Sequence, residues 1–163
     1  MASWQYNLII LPRTKLEEAD GQIPKRIDQN KINSSEGFPS FSSAVELLDN
    51  EMQRSLKEKG NVWGDKDSFC VSLYFNKNQD ELESISLRFD LNKSLSQQIR
   101  IVLDLLRATD GVLVDEFSFQ TILSSEDAVR WAIMRSDAAK FVTDPRQYFI
   151  DAKKRMQENP DEE

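Results

Sequence analysis

The sequence predicts an α+β domain on the ferredoxin-like βαββαβ plan: an antiparallel sheet packed by helices, with an extra hairpin strand and further C-terminal helices. Three observations predict it. Phe69, Val71, Leu73 and Phe75 alternate with polar or small residues, and Ile85, Leu87, Phe89 and Leu91 do the same after the polar turn Lys77 to Glu81. That period of two is a half-buried hairpin. On each side of the hairpin lies a stretch whose apolar residues recur at helical spacing, and the order of elements then runs β, α, β, β, α, β.

Taken in order, Trp4 to Leu11 is rich in aromatic and β-branched residues and stops at Pro12, which marks a first strand. From residue 12 to 41 no stripe persists and Gly21, Pro24, Gly37 and Pro39 interrupt the chain, so a long irregular loop is expected. Ala44, Val45, Leu47, Leu48, Met52 and Leu56 form the apolar side of a first helix, with Ser43-x-x-Glu46 as a capping box, Lys57 and Lys59 at its negative end, and Gly60 as its left-handed stop. After the hairpin, Ser94-x-x-Gln97 caps a second helix that buries Leu95, Ile99, Val102, Leu103 and Leu106 and ends at Thr109-Asp110-Gly111. Val112 to Val114 read as a short buried strand, and Phe117, Phe119 and Thr121 alternate as its hairpin partner. Ser124-Ser-Glu-Asp127 opens a third helix with a stripe of Val129, Ala132, Ile133, Ser136 and Phe141. Asp144-Pro145 is a stop and a restart, because Asp caps and Pro fits the first helical position. One domain is expected over residues 1–156, with a polar tail over 157–163.

The composition bounds the function. A chain of 163 residues buries roughly 70% of its unfolded surface without staples. Histidine is absent, which excludes Ser-His-Asp and Cys-His nucleophile systems, histidine metal sites and histidine pH switches. The single Cys70 cannot close an intrachain disulfide and reads as a small buried hydrophobe. There is no glycine-rich phosphate loop and no nucleophile elbow. No cofactor or metal is called for. With 21 basic against 28 acidic residues the net charge of −7 opposes nucleic acid and anionic lipid and favours a basic partner. The start of the chain shows no signal-peptide pattern and no apolar run long enough to span a bilayer, so a cytosolic protein is expected.

The adjacent carboxylates Asp115 and Glu116 invite a catalytic reading. Neighbours in an extended strand point to opposite faces, however, so they make a poor acid–base dyad. They read as the solvated bend of a hairpin. Candidate steering charges for a cationic partner are Asp65, Asp67, Asp80, Glu81, Asp115 and Glu116. Of the tryptophans, Trp4 and Trp131 read as packing residues, and Trp63 in "GNVWGDKD" is the one expected to be most exposed and is a candidate partner contact, with packing the favoured reading there as well. "EGFPSF", with Phe38 and Phe41 around a proline, is either a recognition loop or a staple onto the first helix. Lys25 and Arg26 read as solvent-facing.

The run "ISLRFDLNKSLSQQIRIVLDLLRATDGVLVDEFSFQTI", followed by "SDAAKFVTDPRQYF", resembles a pattern in small bacterial proteins, some of which resemble the immunity proteins encoded beside bacterial toxins. The likeness covers roughly residues 83 to 150, about two fifths of the chain, and carries over no functional residue. It implies a protein that occludes a toxin. The expectation is therefore a non-catalytic cytosolic binding protein whose partner is a basic toxin domain. The alternatives are a carboxylate-dependent hydrolase, or a structural subunit acting by self-association as a homodimer.

Overall fold

The computed structural model describes residues 5–32, 36–56 and 60–158. Its elements are β1 (Gln5–Pro12), α1 (Arg13–Leu16), α2 (Gln29–Ile32), α3 (Ser42–Glu51), β2 (Val62–Gly64), β3 (Cys70–Phe75), β4 (Leu82–Asp90), α4 (Leu95–Thr109), β5 (Gly111–Asp115), β6 (Thr121–Ile122), α5 (Glu126–Arg135), α6 (Asp137–Thr143) and α7 (Pro145–Glu158). The sheet has six strands in the order β2-β3-β4-β1-β5-β6, every pair antiparallel. Its inner four strands, β3-β4-β1-β5, hold the two split β-α-β units expected of the ferredoxin-like plan: α3 crosses from β1 to β3, and α4 from β4 to β5.

Strand alternation divides the sheet into two faces. Tyr6, Leu8 and Ile10 of β1 and Leu113 of β5 join Leu48, Ile99, Val102, Leu105, Val129 and Ile133 in the main core beneath the helices. On the opposite face, Leu11, Val112 and Val114 pack with Leu16 and Ile27 in a smaller second core. The segment expected to be irregular thus carries two single-turn helices and plugs one half of the outer face. It also protects the edge of β6, where Arg26 bridges Gln120 and the Thr121 amide donates to the Lys25 carbonyl at 2.9 Å. Phe38 is buried in the main core and Phe41 meets Phe75 edge to face at 5.0 Å, so "EGFPSF" is a staple.

Several local expectations are corrected. The first helix ends at Glu51 rather than near Gly60: Met52 is already extended and Arg54 bridges Trp63, leaving Leu56 92% exposed. The expected Ser43–Glu46 capping box does not form, since the N-cap position is Phe41 and no side chain caps it. Lys57, Lys59 and Trp4 lie outside the described residues. At the start of α4, Ser94 makes no side-chain cap bond; the residue that ties this end down is Gln98, which accepts from the Asp90 amide and donates to the Asp90 carbonyl, both at 3.0 Å. Phe117 to Phe119 form a turn instead of a strand, with Phe119 at φ 57, so β6 begins only at Thr121. The third helix divides at Ser136, whose hydroxyl accepts the Ala139 amide and starts α6. Asp110, at φ 50, ends α4, and Asp144 caps the restart of α7 through the Gln147 amide at 2.9 Å, both where the sequence placed the breaks.

Candidate functional site

The carboxylates proposed as steering charges do not form one surface. Asp65 and Asp67 sit in the β2–β3 turn, Asp80 and Glu81 in the β3–β4 turn, and β3 separates these turns at opposite ends of the sheet. Asp65 and Asp67 are exposed, and Asp65 accepts the Asp67 amide at 3.0 Å. Asp80 accepts from the Asn76 side-chain amide at 2.7 Å, which braces the turn, and Glu81 accepts the Gly37 amide at 3.0 Å, which ties the turn to the segment before α3. Trp63 corrects its expectation outright. It is 0% exposed, its indole N–H donates to Asp49 at 2.8 Å, and the Arg54 guanidinium lies 4.7 Å from its ring centroid. Trp63 packs; it is not a contact for a partner. The hydrogen bonds from Arg54 and then Trp63 hold the Asp49 carboxyl below the usual carboxylate range.

Asp115 and Glu116 part company. Glu116 is exposed in the turn. Asp115 is half-buried at the end of β5, where its carboxylate accepts the Phe117 amide at 2.9 Å and the Ser118 amide at 2.8 Å. These bonds pull the chain out of the strand, which is why the expected alternation through Phe117 fails. Its other oxygen accepts the Tyr6 hydroxyl from the core face of β1. Burial first, and then this carboxylate, push the Tyr6 phenol well above its ordinary value, so it stays a proton donor in this bond. Asp115 therefore forms the turn and orients Tyr6, with its oxygens already engaged.

Around that pair the fold opens a cleft. Two adjoining depressions of about 490 and 640 Å3 share Tyr6, Asp115, Ser118, Arg135 and Ser136. One extends past Phe117 toward Phe141 and Tyr148 of α6 and α7, the other past Thr121 and Leu123 toward Asp127 and Trp131 of α5. Three large apolar side chains stand exposed along it: Phe117 at 67%, Leu123 at 79% and Trp131 at 62%. Arg135 stacks over the Trp131 ring at 4.3 Å and has no ion-pair partner among the described residues. These side chains are grouped along one cleft rather than scattered singly over the surface. The sequence reading places none of Trp131, Leu123 and Arg135 on this cleft. The signal for Trp131 was present: Val129 and Ile133 define the buried side of α5, and a residue two places from each falls on the opposite side.

Among the described residues no group of three or more His, Cys, Asp or Glu side chains could hold a metal ion, and no helix is long and apolar enough to cross a membrane. Comparisons with protein-family models, with curated proteins and with solved structures found no match to this chain.

Proposed function

We propose that this chain is a non-catalytic binding protein, acting in the cytosol, that occludes a basic toxin domain as an immunity protein does. The observation that supports this reading is the cleft between the β5–β6 turn and α5. There Phe117, Leu123 and Trp131 offer exposed apolar area, and Asp115 and Asp127 lie along its rim. Aromatic anchors hold a partner, while the net charge of −7 speeds the encounter with a cationic one. The steering field belongs to the whole molecule, since the acidic turns are spread over both ends of the sheet.

The test is co-expression with the product of the adjacent gene. The wild-type chain relieves that product's toxicity, and a Leu123→Asp/Trp131→Ala variant, altered only at exposed positions, loses relief while its circular dichroism stays native. Undiminished toxicity beside the soluble wild-type chain refutes the proposal.

A further inference from the structure

α7 is an anomaly of charge and packing. Over Pro145–Glu158 it carries four basic residues, Arg146, Lys153, Lys154 and Arg155, and two acidic ones, Asp151 and Glu158. The rest of the chain is left with 17 basic against 26 acidic residues. The helix is held through the edge-to-face cluster of Phe141, Tyr148 and Phe149, and none of its described side chains is buried. Arg146, Phe149, Ile150 and Lys153 fall at i, i+3, i+4 and i+7, so they share one side of the helix, and all four are exposed. Phe149 is 61% and Ile150 53% exposed, and neither Arg146 nor Lys153 has an ion-pair partner among the described residues. An amphipathic helix in a folded protein gains most of its stability by burying such a side. Here that side faces outward, with apolar residues between unpaired cations.

We infer that the basic, apolar side of α7 docks into the cleft of a second copy of this chain. The complementary surface is on the same molecule: the cleft offers exposed Leu123 and Trp131 with Asp115 and Asp127 beside them. Arg135 excepted, which is held over the Trp131 ring, the charges of the rim are acidic and its centre is apolar, which is what α7 presents in reverse. Because each copy owns both a helix and a cleft, reciprocal docking closes as a two-fold dimer and uses both surfaces twice. An anionic membrane is the other surface that a basic amphipathic helix can fit. The strongly acidic remainder of the chain would be repelled from such a membrane, whereas it attracts the α7 of another copy. This inference goes beyond the proposed function and does not require it, although a partner that uses the cleft would compete with the second copy.

Sedimentation equilibrium of the purified full chain tests the inference. The expected result is a concentration-dependent dimer that weakens as salt is raised. Ile150→Asp and Lys153→Glu each weaken it, Ile150→Asp by at least about tenfold because a charge enters the contact centre. Both positions are exposed, so the variants keep the native circular dichroism. A monomer at every concentration overturns the proposal, as does a dimer indifferent to both substitutions, or open-ended growth instead of closure. A monomer that co-sediments with phosphatidylserine vesicles would assign this side of α7 to lipid and overturn it equally. None of these outcomes depends on the co-expression result.

Discussion

Trp63→Ala lowers the stability of the folded chain by about 4 kcal/mol, the scale of a buried aromatic removed with little collapse of the space it leaves. For a chain of this length that is a fall of about 10 °C in Tm. The size of the effect follows from position. Trp63 sits on the edge strand β2, is fully buried, and pairs with Val71 across the ladder. Its indole N–H also anchors Asp49 at the end of α3, and Arg54 covers its ring. One side chain therefore joins the edge of the sheet, the end of α3 and the connecting segment. Trp63→Phe keeps much of the apolar contact and loses the N–H bond, so it costs less than the alanine change. The same site carries a pH signature. The folded Asp49 carboxyl titrates below its unfolded value, so its contribution is present above the ordinary aspartate range and is lost as pH falls through the folded value. Urea midpoints for wild type and Asp49→Asn differ at neutral pH and converge in acid. A gap that persists unchanged into acid contradicts this account of the contact.

Gln98→Leu is expected to cost about 2 kcal/mol, although it places a larger apolar surface on the buried side of an amphipathic helix. Counting hydrophobic area alone predicts a gain. Gln98 is only 5% exposed, and its amide bridges both the N–H and the carbonyl of Asp90 while also donating to the Ser94 carbonyl at 3.1 Å. Leucine leaves the buried Asp90 amide without this partner, at about 1–3 kcal/mol for an unsatisfied group, while the Asp90 carbonyl loses one of two donors and keeps the Lys93 amide at 3.2 Å. The damage also spreads. The Asp90 carboxylate accepts the Asn92 amide at 3.0 Å and the Ser68 hydroxyl at 2.9 Å, which fastens the β2–β3 turn to the end of β4. Gln98→Glu keeps an acceptor for the Asp90 amide but removes the donor and sets a second carboxylate near the first. Urea unfolding of the three chains should rank them wild type above both variants. A stabilised Gln98→Leu would show that the bridge carries no weight.

The parts of the fold that were legible are those in which pattern and packing agree. Val71 and Leu73 of β3 and Ile85, Leu87 and Phe89 of β4 alternate with less buried residues because one face of their ladder is core. The ends of α4 and α6 carried their own punctuation in Asp110 and Asp144-Pro145. The break at Ser136 had a signal as well, a Ser-Asp pair inside an otherwise apolar stripe. What was hidden depended on contacts between distant residues. Nothing local marks Glu51 as a helix end, because the chain turns there to let Arg54 and Trp63 meet Asp49. The second core draws on Leu16 and Ile27, two apolar residues far apart in a polar stretch, and no period connects them. The site was misjudged for a related reason. Trp63 sits among glycine, asparagine and aspartate, which reads as surface, while Trp131 sits beside a buried stripe, which reads as core. Strand pairing buried the first and helix phase exposed the second.

The proposed partner site is the cleft between the β5–β6 turn and α5, which offers shape and charge to a protein partner. Titration calorimetry of the purified chain with the adjacent gene's product tests it most directly, using Trp131→Ala in the cleft and Asp80→Asn at the far end of the sheet. The account predicts a saturable complex, weakened by at least about tenfold in Trp131→Ala, in line with loss of an aromatic anchor, and unchanged in Asp80→Asn. No heat of binding, or a complex that Asp80→Asn disrupts and Trp131→Ala leaves intact, would contradict it.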